Sequence, residues 1–192
     1  MTHALEPWQL HIIGPQAVGK MTVGQALSRL TAAPLFHNHQ VIDLLTEYFP
    51  FGTPPFNRLV EDVRRGVIEE AAGAGLNLVV TGALPFDDRY WLAILERWTA
   101  SVQSRGGQAY FVELRAPLDV RLERNRHEHR RAHKKTDWAT DEALRALSEE
   151  HRWYSDGDFP WPERHLVIDN TSVTPEEAAR RIVEHFGLGA LG

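Results

Sequence analysis

Short apolar runs alternate along this chain with stretches whose apolar positions recur every three or four residues. Trp8–Ile13 is mostly apolar and stops at Gly14, which predicts a first strand. From Lys20 the pattern changes: Val23, Ala26, Leu27 and Leu30 share one helical face, and Pro34 lies beyond its end. Leu35–His37 predicts a short second strand. A helix over Asn57–Ala72 follows, with Val60, Val63, Val67 and Ala71 on one side. Leu76–Gly82 is apolar and β-branched, as a strand covered on both faces should be. The rhythm continues with a helix through Trp91, Ile94, Leu95, Trp98 and Val102, a strand at Ala109–Leu114, and a helix from Leu118 to about Arg126. A polar helix from about Asp141 to Trp153 and a strand at Leu166–Asp169 come next. The last helix is sharply marked: Thr174 at the N-cap, Pro175 and Glu177 spell a capping box, and Gly187 supplies the stop.

Strands separated by helices predict an α/β fold with a parallel sheet covered by helices on both faces. No repeat or low-complexity linker divides the chain, so 1–192 reads as a single domain. Ligands in such folds sit beyond the carboxyl ends of the strands. The residues after each strand are therefore the ones to inspect.

Composition narrows the chemistry. Cysteine is absent, which excludes disulfides, thiolate catalysis and cysteine-ligated metals. No apolar run is long enough to span a bilayer, and the first residues lack the pattern of a secretory signal, so a cytoplasmic protein with no membrane partner is expected. A net charge of −5 argues against a general nucleic-acid binder. Basic residues nevertheless cluster between Arg121 and Lys135, either a solvated face or a local anion site. The chain has only three lysines, Lys20, Lys134 and Lys135, which singles out the first.

Lys20 closes the segment Gly14-Pro15-Gln16-Ala17-Val18-Gly19-Lys20-Met21-Thr22, a G-x-x-x-x-G-K (Walker A) pattern placed after a strand and opening a helix. Glycines there let the backbone turn tightly around an anion. Loop N–H groups point inward, and the helix start adds partial positive charge. The lysine reaches the β- and γ-phosphates of a nucleotide.

On these residues the chain resembles the P-loop small-molecule kinases, the superfamily of shikimate kinases, chloramphenicol phosphotransferases and nucleoside monophosphate kinases. The resemblance implies a three-layer α/β/α fold with a five-stranded sheet of order 2-3-1-4-5 and a small lid, here at about 124–140. It also implies ATP and Mg²⁺ as cofactors. In such kinases the residue after the lysine is a metal-ligating Ser or Thr; here it is Met21, a soft thioether unsuited to a hard cation. Thr22 matches the position that contacts the α-phosphate in similar kinases. No acidic residue ends the third strand, so the usual second metal contact is missing as well. No residue is assigned to a metal.

For the acceptor, His37, His39 and Asp43 follow the second strand, and an imidazole or carboxylate there would orient or deprotonate a hydroxyl. The same residues are equally suited to capping the strand and the helix after it. Arg58 lies near where shikimate kinases place an acceptor-binding arginine, and Gly82 would admit an acceptor close to the backbone. The resemblance places lid arginines at Arg124, Arg126 and Arg130, and an adenine contact at Asn170-Thr171. The reading is an ATP-dependent phosphotransferase acting on an unidentified small molecule, with Lys20, Asp43, His39, Arg126 and Arg130 as the catalytic set. A nucleotide-binding module with weak or no turnover is the alternative, suggested by Met21. The sequence is silent on oligomeric state.

Overall fold

A computed structural model describes residues 6–131 and 140–189, with side chains to residue 126 in the first segment. Five parallel strands form the central sheet: β1 (Trp8–Ile13), β2 (Leu35–Phe36), β3 (Leu78–Gly82), β4 (Gln108–Arg115) and β5 (His165–Asp169). Their order is β2-β3-β1-β4-β5, as the resemblance implied. The helices are α1 (Lys20–Thr31), α2 (Asn38–Thr46), α3 (Pro54–Gly73), α4 (Arg89–Gln103), α5 (Leu118–Arg131), α6 (Asp141–Glu150) and α7 (Pro175–Phe186).

Because strand side chains alternate, β1 feeds two separate apolar layers. Leu10 and Ile12 pack with Val23 and Leu27 of α1 and Ile182 of α7. Ile13 turns the other way, toward Ile68 of α3 and Ile94 and Trp98 of α4. Every residue of β1 is buried, and each aliphatic side chain so placed contributes about 1.5–3 kcal/mol. A third, smaller cluster joins α2 to α3 through Val41, Ile42, Leu45, Phe56 and Val60.

Side-chain caps hold several helix starts. Asp88 accepts from the Tyr90 N–H at 2.9 Å, and Thr174 accepts from the Glu177 N–H at 3.2 Å. The Glu177 carboxylate turns outward to Arg180 and Arg181. Gly187 closes α7 in the left-handed conformation at φ +62°. The polar helix α6 stops at Glu150, short of the predicted Trp153. That tryptophan is buried, and its indole N–H donates back to the Leu147 carbonyl at 2.8 Å, which turns the chain inward. No helix among the described residues is long and apolar enough to cross a membrane.

Candidate functional site

The turn between β1 and α1 has a conformation open mainly to glycine. Gly14 has φ +138°, and a Cβ there would stand 2.6 Å from the Leu114 carbonyl oxygen at the end of β4. Gly19 has φ +103°, and its Cβ would meet the Asn170 side-chain amide at 2.7 Å. Between them Ala17 also takes a positive φ of 57°. Alternating backbone signs of this kind turn successive N–H groups toward one concave side. The α1 N-cap, Gly19, has no side chain to offer, and the first turn contains no acidic residue, so an anion meets no competitor there. Lys20 folds back over the turn, its ammonium donating to the carbonyls of Gly14 at 2.7 Å and Pro15 at 2.5 Å. Thr22 donates its hydroxyl to the Gly19 carbonyl at 2.9 Å, and Met21 is 36% exposed.

A polar brace supports the turn from behind. The Val18 carbonyl accepts from the Asn170 amide at 2.7 Å and from Arg124 at 3.1 Å. Arg124 also donates to the carbonyls of Asn170 at 2.6 Å and Thr171 at 3.2 Å. Arg121, buried on α5, reaches the Gln16 carbonyl at 3.5 Å and the Ser148 hydroxyl of α6 at 3.0 Å. Burial holds its pKa below the usual arginine range. Arg124 and Asn170, expected on sequence to face the nucleotide, thus make their visible bonds to main chain. Arg121 enters the sequence reading only as the start of the basic cluster, and that cluster is the signal that marks it.

On the lid side, Arg126 pairs with Asp141 at 2.7 Å, and Asn125 donates to the same carboxylate at 3.3 Å. The Arg126 hydrogen bond is the main reason the Asp141 pKa sits below its ordinary value. The Arg130 side chain and residues 132–139 of the expected lid lie outside the described residues.

The residues expected on sequence to meet an acceptor lie beyond β2 and β3. His37 is the N-cap of α2, its N–H donating to the Gln40 side chain at 3.0 Å. The Asn38 N–H donates to the Thr81 hydroxyl at 3.1 Å, which ties α2 to the end of β3. Partial burial lowers the His37 pKa, against the pull of Asp43. His39, whose ring centre lies 6.4 Å from that of His37, and Asp43 are both exposed. Arg58 is exposed on the first turn of α3 and does not line the cavity that opens here; Gly82 does.

That cavity, of about 10 Å³, has room for a single water. His11, Phe36, Asn38, Arg64, Thr81 and Trp98 are among its walls. Arg64, one and a half helical turns beyond Arg58, is 8% exposed. Burial lowers its pKa to about 10, against the attraction of Glu61, so it is a cation at neutral pH. Around it, His11 Nε2, Asn38 Oδ1 and Trp98 Nε1 are buried without hydrogen-bond partners. His11 lies between Trp98 and Phe111, ring centres 5.8 and 5.4 Å away, and burial lowers its pKa to about 4. It is therefore neutral near pH 7.

A glycine-shaped turn at the end of the central strand, with a small buried cavity beside the end of β3, invites comparison with known proteins. No family model matches the chain, and no curated protein sequence does. Solved structures do. A sugar kinase from a Janibacter species superposes with a TM-score of 0.64 at 16% identity, over 95% of this chain and 96% of that one. A gluconokinase from Sinorhizobium meliloti gives 0.61 at 17% identity, over 95% and 93%. A shikimate kinase from Acinetobacter baumannii, solved with shikimate, gives 0.58 at 18% identity, over 93% and 92%. The chain has the fold of the P-loop small-molecule kinases.

Mg²⁺, which such a fold implies, was tested against the donors present. The position after Lys20 offers a thioether, the Thr22 hydroxyl donates to Gly19, and the Thr81 hydroxyl accepts from Asn38. Strand β3 ends without a carboxylate. Among the described residues no group of three His, Asp or Glu side chains is placed to hold a metal. The residues do not fit a protein-ligated Mg²⁺.

Proposed function

We propose that the chain is an ATP-dependent phosphotransferase acting on a small molecule that carries an anionic group. The observation that carries this reading is the braced turn from Gly14 to Lys20, with the ammonium folded over its concave side beneath an uncapped helix start. Arg64 supports the acceptor half: it is a cation at neutral pH on the wall of the small cavity beside Thr81 and Gly82, where it favours an anionic acceptor nearby.

In this reading the loop amides and Lys20 hold the β- and γ-phosphates. The acceptor hydroxyl attacks the γ-phosphorus in line, the bond to the ADP oxygen breaks, and the hydroxyl proton passes to His39 or Asp43 at the start of α2. Arg126 and Arg130 on α5 offset charge on the transferring group, Arg126 by exchanging Asp141 for phosphate. His37, at the α2 N-cap, and Gly82 border the acceptor. Asn170 and Thr171 border the adenine, and a cytoplasmic setting accords with the absence of cysteine.

The test is single-turnover transfer from γ-labelled ATP across a panel of hydroxy acids and sugar phosphates, with Lys20→Ala as the control. Transfer to one class of anionic acceptor, lost in the control, is the expected result. Tight ATP binding without transfer to any acceptor would point to a nucleotide-binding module instead.

A further inference from the structure

The polyphosphate in this site has protein cations to meet it and no protein group suited to its metal. We infer that the phosphate loop binds its nucleotide through its own cations and amides, so that affinity for ATP is nearly indifferent to Mg²⁺. The inference rests on the nucleotide-binding reading above and deepens it.

Three observations lead there. First, Mg²⁺ prefers hard oxygen ligands in near-octahedral array, and the residue that follows Lys20 presents a methionine sulfur, 36% exposed. Second, the nearby hydroxyls stand elsewhere: Thr22 is one residue beyond the position after Lys20 and is turned back to the Gly19 carbonyl, and Thr81 is on β3, where it receives the Asn38 N–H that fixes α2. Third, the turn is already cationic. Lys20 lies over it, and Arg121 and Arg124 reach its carbonyls from α5 at 3.5 and 3.1 Å. A loop that must receive Mg·ATP gains from acidic or hydroxyl groups that share the metal. The first turn of α1 has no acid, and its hydroxyl sits one residue late. Free ATP, with its higher negative charge, suits such a surface at least as well as the metal complex. Any Mg²⁺ that accompanies the nucleotide then touches phosphate and water alone.

The experiment is calorimetric titration of the full chain with ATP, once in EDTA and once in saturating Mg²⁺. It is repeated for Met21→Ser, which supplies the missing hydroxyl, and for Met21→Leu, which keeps an apolar chain of similar size. Wild type and Met21→Leu should bind with dissociation constants within about threefold in the two media, while Met21→Ser should gain about tenfold in Mg²⁺ over EDTA. Tenfold or greater tightening by Mg²⁺ in the wild type overturns the inference, and so does a Met21→Ser chain that binds ATP equally in both media. Absence of ATP binding in either medium is a separate outcome: it overturns the phosphotransferase reading itself. The readout is binding, so it does not depend on knowing the acceptor.

Discussion

The side-chain amide of Asn170 donates to the Val18 carbonyl at 2.7 Å, a bond that spans 152 positions of sequence. It joins the loop after the last strand to the turn after the first. Asn170 is itself fixed, its N–H donating to the Arg115 carbonyl at 2.7 Å and its own carbonyl accepting from Arg124. The turn is thus held in shape from behind before any ligand arrives, which lowers the cost of ordering it on binding.

Removing this brace should loosen the turn without abolishing the fold. Asn170→Ala takes away one buried bond and should cost about 1–3 kcal/mol in chemical denaturation, together with weaker ATP binding. If ATP binds the variant as tightly as the wild type, Asn170 does not set the shape of the turn.

Gly14 and Gly52 both have positive φ but differ in surroundings. At Gly52, φ +79°, a Cβ would meet nothing within 4 Å, so Gly52→Ala should cost only the backbone preference of about 1–2 kcal/mol. At Gly14 a Cβ would collide with backbone at Leu114, and Gly14→Ala should be clearly more destabilising and should lose ATP binding. Equal melting temperatures for the two variants would contradict the geometry of the β1–α1 turn.

Arg64 makes a prediction of opposite sign. Replacing a largely buried guanidinium, whose burial outweighs the attraction of Glu61, with an apolar chain of similar length should stabilise the protein, so Arg64→Met should melt higher by an amount equivalent to about 1–4 kcal/mol. A destabilised Arg64→Met chain would show that the guanidinium has a structural partner.

His11 gives a pH signature. Burial lowers its pKa from an ordinary 6.5 to about 4, so between those values the unfolded chain binds more protons than the native one. Stability contributed by neutral His11 is full above pH 6.5 and falls as pH drops toward 4, by about 3 kcal/mol across the window. Glu61 acts in the other direction, since burial, only partly offset by Arg97, raises its pKa. The comparison of wild type with His11→Phe isolates the histidine: the wild type should lose stability more steeply on acidification. Parallel curves would mean that His11 is not buried neutral.

The strand rhythm and the Gly14–Lys20 turn were legible because periodicity and glycine placement are local properties. The braces were not, since Arg121, Arg124 and Asn170 meet the turn only through tertiary packing. Arg58 illustrates the limit on the acceptor side: sequence position favoured it, but helical phase turns Arg58 outward and Arg64 inward. Glu113 was equally invisible. It is fully buried and accepts from Arg115 at 2.6 Å and the Ser155 N–H at 3.2 Å, and it lies 3.4 Å from His165. Burial pushes its pKa up, but contacts from His165, Ser155 and Arg115 outweigh that and hold it below the usual range. A lone glutamate in an apolar strand gives no sign of such company.

The order β2-β3-β1-β4-β5 puts the strand that leads into the glycine turn between two neighbours, while the two-residue β2 that precedes α2 stands at the rim. Mutational tolerance should therefore be lopsided. Altering β1 disturbs both apolar layers at once, whereas the rim and α2 can be rebuilt with little loss elsewhere. A laboratory seeking to vary this scaffold should randomise β2 and α2, and leave alone the middle of the sheet and the α3 residues packed on it.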